Sequence, residues 1–281
     1  GKHFVTARGW DDLSEMIKLY EENGLAVDEQ LICQYLQDAR ISKDFAIYYD
    51  LFNKYRSDYQ VEKILDGTVS ESIVLRAERA SMDERLSLLG LIFDSVTAQL
   101  RTVCERENIL DLVTGQLKTL KEKLKDVSGA AALLSEMIEA EREKLERGKQ
   151  SSSISPQAQR ETRFMLEYLE EFRAAVMQSG SAQKDEFSIV RESFVQKVAE
   201  LKGLAADGGR ALENVFSFCE KAFADGDELL IFVTELTANY YSARFIGRYG
   251  CDRYYMHNKQ LQFDQRQQEI IKRMDEIQWT V

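Results

Sequence analysis

Gly148-Lys149-Gln150-Ser151-Ser152-Ser153-Ile154-Ser155-Pro156 holds the only proline in a chain of 281 residues. Proline makes up about 5% of an average protein. A proline inside a helix removes a hydrogen bond and costs about 3 kcal/mol. A chain that has almost none is therefore suited to long helices. The serine run before Pro156 marks a place where two of them meet. Ser155 fits the N-cap position and Pro156 the first helical position, where a missing N–H costs nothing. The stretch 149–156 is read as a linker between two helical regions.

The pattern on both sides agrees. Upstream, helices are predicted over Ile109–Lys125 and Ala130–Arg147, with a narrow apolar stripe through Leu117, Leu120, Leu124, Leu133, Leu134, Met137 and Leu145. Downstream, Gln157–Gln178 answers with Phe164, Tyr168 and Phe172. Narrow stripes on Lys/Glu-rich helices predict long antiparallel hairpins packed as a bundle. Nearer the start, Asp11 and Asp12 open a short helix and Asp28 caps another through Leu36. A third runs from Ser42 to Gly67, with Phe45, Tyr48, Tyr49, Phe52 and Tyr55 at helical spacing. A fourth covers Ser70–Asn108, with break points at Ser81 or Gly90. Toward the end, Asp185–Lys202 stops at Gly203 and Asp207-Gly208-Gly209. Arg210–Phe223 follows, then a long apolar helix from an Asp227 cap to Arg248, and an amphipathic helix over Lys259–Ile277. The expected fold is an all-α multi-helix bundle with long antiparallel helical hairpins. Its regions are 1–66, a hairpin region 67–148, the linker 149–156, and a C-terminal bundle 157–281.

Composition narrows the function classes. Hydrophobic residues are 44% and charged residues 30%, the mix of a globular chain with a real core. Apolar runs such as Leu229–Val233 are far short of the roughly 20 residues that span a bilayer, and no segment has signal-peptide layout. Membrane insertion is not expected. Lys and Arg total 37 against 48 acids, a net charge of −11 that argues against a nucleic-acid partner. Cys33, Cys104, Cys219 and Cys251 are scattered, with neither disulfide density nor the close pairs of a zinc site. A cytoplasmic protein with reduced thiols is expected.

The search for chemistry is short. No G-x-x-x-x-G-K-[ST] loop is present, so no backbone cradle for phosphate is expected. His3 and His257 are too few for a di-iron bundle. Cys251 and His257 lie close enough in sequence to share a metal, although a buried thiol and an unrelated imidazole account for them as well. Glu136, Glu139, Glu141 and Glu143 alternate with Arg142 and Lys144, which reads as solvated helix pairing. No catalytic residue and no metal ligand are assigned. One island stands out from the acidic background: Asn239–Lys259 carries Arg244, Arg248, Arg253 and Lys259 against Asp252 alone, interleaved with Tyr240, Tyr241, Tyr249, Tyr254 and Tyr255. Arg and Tyr carry interface energy, so Tyr240, Arg244, Arg248, Tyr249, Arg253 and Tyr254 are candidate partner-binding residues. The competing account is tyrosines in the core with arginines reaching out to solvent.

The first 70 residues carry a resemblance. Val5-Thr6-Ala7-Arg8-Gly9-Trp10-Asp11-Asp12-Leu13-Ser14 resembles the helix-start motif in the lid of MoxR-like AAA+ ATPases, with Ala7 where the family often has proline. Asn23-Gly24-Leu25-Ala26-Val27-Asp28 resembles the turn and cap that follow in that lid. Phe45–Gly67 is similar to what trails the lid in bacterial relatives. The resemblance covers about a quarter of the chain. It implies that Arg8 is the sensor-2 residue, facing the γ-phosphate of ATP held with magnesium by an ATPase core upstream of Gly1. It also implies neighbouring ring subunits, chaperone-like remodelling, and partners with a von Willebrand A domain. The opening Gly1-Lys2-His3-Phe4, without methionine, is read as a start inside a longer protein. The alternative is a stand-alone helical scaffold or adaptor unconnected with nucleotide.

Overall fold

Helix-start chemistry fixes the first three helices of the computed structural model, which describes residues 5–126, 129–179, 186–224 and 226–259. α1 (Ala7–Glu22) begins at Thr6, whose hydroxyl accepts from the Gly9 N–H at 3.1 Å. Asp11 and Asp12 lie a turn inside it instead of opening it. α2 (Glu29–Leu36) begins at Asp28, whose carboxylate accepts from the Leu31 N–H at 2.9 Å. α3 (Ala39–Tyr59) is capped by Asp38, which accepts from Arg40 and Ile41. Each cap satisfies backbone donors that the first turn leaves open, which is why a short polar residue sits there. Gln60 then takes a left-handed conformation, φ 49°, and separates α3 from α4 (Val61–Asp66), so the single helix expected to Gly67 is two.

α5 (Glu71–Arg79) is short, and the chain breaks at Ser81. α6 (Met82–Lys123) then runs 42 residues without interruption, joining the expected fourth and fifth helices into one. At 1.5 Å per residue it is about 63 Å long. α7 (Ala130–Gln150) and α8 (Pro156–Gln178) follow, and Ser155 caps α8 by accepting from the Ala158 N–H at 3.2 Å. The stretch between them is a tight reversal. Ile154 folds onto Gly148, so closely that a Cβ on Gly148 would lie 2.0 Å from its Cδ1. Contacts Ser135–Arg173 and Arg142–Glu170 then place the start of α7 beside the end of α8.

α9 (Glu186–Phe223) is a second spine of 38 residues. Gly203 and Asp207-Gly208-Gly209 were expected to end it, and they do not. Leu201 and Ala205 before them and Leu212 after them keep one apolar face against α6, and tertiary packing outweighs glycine's low helix propensity. α10 (Asp227–Ala238) and α11 (Tyr240–Tyr249) replace the one helix expected from Asp227 to Arg248. Asp227 is the first helical residue and caps nothing. The break falls at Asn239, whose side chain accepts from Tyr241 and Ser242 and starts α11. α12 covers residues 252–259. The rest of the expected Lys259–Ile277 helix lies outside the described residues. No strand occurs among those described, and the all-α multi-helix class holds.

The spines thread two cores. A proximal core gathers Tyr59, Ile64, Leu88, Ile92, Val96, Leu212, Phe216, Phe232 and Ile246, among others. A distal core gathers Ile109, Val113, Leu120, Leu134, Met137, Leu169, Phe172 and Val190 from α6, α7, α8 and α9. Full burial of each such side chain is worth roughly 1.5–3 kcal/mol. Between them lies a waist of Leu100, Val103, Cys104, Ala205 and Phe245. α1–α3 form a third, small cluster around Leu13, Ile32 and Leu36. An 18-residue window of α6 reaches a mean hydropathy of 1.2, enough by length and composition to cross a bilayer; much of it packs inside the protein as the central core helix.

Candidate functional site

Arg8 sits in the first turn of α1, with its side chain 87% exposed; among the described residues it pairs with Asp12 at 3.7 Å. Its backbone is firmly placed. The next residue, Gly9, lies so close to α2 that a Cβ would stand 2.8 Å from the Tyr35 carbonyl oxygen, so α1 and α2 approach backbone to backbone there. A cation near a helix N-terminus gains nothing from the helix dipole. Arg8 thus presents an exposed guanidinium, loosely paired with Asp12, on a fixed base, and its fork is of the kind that recognises an oxyanion in bidentate fashion.

The surface around it is unusually apolar. Trp10 meets Phe45 edge-on at 5.2 Å, and Phe45 continues to Tyr48 and Phe52 along α3. Trp10, Leu19, Leu25, Ile41, Ile47, Tyr48 and Leu51 are all exposed, while only Leu13, Ile32 and Leu36 of this unit's own cluster are fully buried. The small unit leaves more large apolar side chains outside than in.

The Arg/Tyr island divides into two clusters, each answering carboxylates from distant segments. Glu107, buried in the middle of α6, accepts from Arg248 Nε at 2.6 Å, Arg244 Nη2 at 3.2 Å and the Tyr249 hydroxyl at 2.5 Å. Arg253 reaches Glu213 at 3.1 Å and also pairs with Glu220. Tyr254 is buried, its hydroxyl 2.9 Å from that of Thr237. Tyr240 is exposed, at 63%, and its hydroxyl accepts from Arg244 at 3.4 Å. Burial, reinforced by Glu107, pushes the Tyr249 phenol up to about 12. Arg244, Arg248 and Arg253 are therefore engaged within the fold, while Tyr240, Tyr249 and part of Arg248 face outward.

Glu107 was the residue missed in the sequence, and a signal for it existed. It falls on the apolar stripe Val96, Leu100, Val103, Glu107, Leu110, at spacings of four and three, where an unpaired carboxylate is not tolerated. Glu228 is similar: buried at the start of α10, it is held by Arg85 at 2.9 Å.

Cys251 and His257 attach to different carboxylates. The Cys251 thiol contacts Glu213 at 3.3 Å, and burial first, then that carboxylate, raises it to about 12. His257 contacts Glu220 at 2.9 Å and stacks on Phe216, with centroids 5.8 Å apart. No group of three or more His, Cys, Asp or Glu side chains is arranged to hold a metal among the described residues. Two surface grooves flank Asn214. One, about 530 Å³, is floored by Ile64 and Phe218 between α5 and α9; the other, about 600 Å³, is lined by Gln99, Thr102, Asp207 and Arg210. The first is also lined by Ser217, Lys221, Glu71 and Glu78. Comparisons with protein-family models, with curated proteins and with solved structures gave no match.

Proposed function

We propose that α1–α3 with α4, within residues 1–66, are the end of a MoxR-like AAA+ lid, and that the remaining helices are an accessory region carried on the ATPase ring. In this reading Arg8 meets the γ-phosphate of ATP, which the upstream core binds with magnesium. Nucleotide state moves the lid, and the long helical limb transmits that movement to a partner or substrate protein, a von Willebrand A-domain protein being the kind the resemblance implies. ATP hydrolysis belongs to the core, because this chain offers no phosphate cradle.

The observation that carries the reading is the unfinished core of α1–α3. A unit of this size with five buried large side chains, one of them, Tyr59, packed into the proximal core, and seven exposed ones gains too little from its own burial to stand without a cover. A lid fragment has that character, since the rest of the lid and the core lie against it. The outward placement of Arg8 beside this surface adds to it.

The gene provides the first test. An open frame running upstream of the Lys2 codon and containing G-x-x-x-x-G-K-[ST] supports the ATPase reading. In that full-length product Arg8→Ala should abolish most ATP turnover while ATP binding and melting stay near normal. A frame that opens at Lys2, or full turnover in the Arg8→Ala protein, sinks it. A second reading, a helical scaffold or adaptor, is favoured by the proximal core, which residues from Tyr59 to Tyr254 close by themselves. Under that reading the chain binds its partner equally well with and without nucleotide.

A further inference from the structure

The two spines join the proximal and distal cores through a waist that is weak in a specific way. At that level α9 reads Leu201-Lys202-Gly203-Leu204-Ala205-Ala206-Asp207-Gly208-Gly209-Arg210, three glycines inside an uninterrupted helix. Glycine in a helix interior lowers its stability through backbone entropy, so an evident packing reason is expected for each one. Gly208 has one: a Cβ there would lie 3.2 Å from Leu100 and 3.5 Å from Phe245, so α6 and α11 require its smallness. Gly203 and Gly209 have none, because a Cβ at either would meet nothing within 4 Å.

The facing part of α6 is equally distinctive. Glu107 interrupts its apolar stripe there, flanked by the half-buried Glu105, Arg106 and Asn108. Arg106 and Glu107, adjacent in sequence, tie to different sides of the waist. Arg106 donates to the Tyr168 hydroxyl on α8, in the distal core, at 2.5 Å. Glu107 accepts from Arg244, Arg248 and Tyr249 on α11, which packs on the proximal side. The apolar contact that crosses the waist is limited to a few residues around Leu100, Val103 and Phe245.

We infer that α9 between Gly203 and Gly209 is a hinge on which the distal four-helix limb swings relative to the proximal body. Bends in long helices concentrate where glycines sit, and domain hinges fall where few contacts cross. α6 runs unbroken through the same level, so the swing bends it too near Arg106 and Glu107, and the unpacked glycines make α9 the weaker of the two spines. The hinge stands independently of the ATPase reading.

Amide hydrogen exchange on the whole chain tests it. Amides of residues 204–212 should exchange at least tenfold faster than those of 190–198 and 215–220 on the same helix. The double variant Gly203→Ala/Gly209→Ala, which has room for both methyl groups, should slow them about tenfold and leave the flanks unchanged. Spin labels on Lys63→Cys and Glu139→Cys, in a Cys33→Ser background, should give a broad distance distribution that the two alanines narrow. Uniform protection along α9, or a single narrow distance that the alanines leave unchanged, overturns the hinge.

Discussion

Glu107 on α6 accepts the hydroxyl of Tyr249 on α11 at 2.5 Å, across 142 positions of sequence. The same carboxylate takes Arg244 and Arg248, so one buried acid collects three donors from one helix. Removing it leaves the half-buried Arg244 and the Tyr249 hydroxyl without their acceptor, while Arg248 can turn to solvent. Glu107→Ala should therefore lower unfolding stability by roughly 1–3 kcal/mol, the usual cost of leaving buried polar groups unsatisfied. Arg248→Ala should cost under about 1 kcal/mol, because that side chain is 65% exposed and the attraction is screened. Urea denaturation of the two variants checks the asymmetry; equal costs would show that Glu107 is not the hub.

A harsher change tests the island as a whole. Arg244→Glu, Arg248→Glu and Arg253→Glu together would set new acids against Glu107, Glu213 and Glu220. The melting temperature should fall sharply, with α11 and α12 losing helical protection first. If melting is unchanged and only partner binding weakens, these arginines serve recognition and their internal pairs contribute little.

The local parts of this fold were legible in the sequence, because they rest on neighbours. Thr6 apart, the caps at Asp28 and Ser155 follow from short polar residues ahead of apolar periodicity. The scarcity of proline announces long helices by itself. What was not legible depends on distant segments. Whether α9 continues through Gly208 is decided by Leu100 and Phe245, about a hundred residues before and forty after. The island's composition was visible, but its partners Glu107, Glu213 and Glu220 come from the two spines, and no local pattern pairs them. Arg8 lies in the first turn of α1 with its side chain exposed.

Two glycines should respond in opposite directions to the same substitution. Gly67 ends α4 at φ 74°, and a Cβ there would stand 2.8 Å from the Asn214 side chain, which itself holds the Leu65 carbonyl at 2.8 Å. Gly67→Ala meets both a strained backbone and a displaced hydrogen bond, and should cost about 1–3 kcal/mol. Gly115 sits inside α6 with open space around it. Gly115→Ala should stabilise by about 0.5–1 kcal/mol, by reducing the freedom of the unfolded chain. Thermal melts of both, compared with the parent, decide; a stabilised Gly67→Ala would contradict the packing of α4 on α9.

Alkaline pH should weaken the fold through its buried phenols and thiol. Burial, with help from Glu84, raises the Tyr59 phenol to about 12, and its hydroxyl donates to Glu84 at 2.7 Å. Burial likewise raises Tyr249 and Cys251 to about 12. In each case the folded state holds its proton more tightly than the unfolded chain does. Their contribution is therefore complete below the ordinary phenol and thiol values and is lost as pH rises from about 9 toward 12. The urea midpoint should be flat from pH 7 to 8.5 and should fall progressively above pH 9. Tyr59→Phe lacks the titrating proton as well as the bond to Glu84, so it should start lower at pH 7 and decline less steeply. A midpoint that stays level to pH 11, or a Tyr59→Phe profile parallel to the parent's, would falsify this assignment of the alkaline limb to buried phenols and thiol.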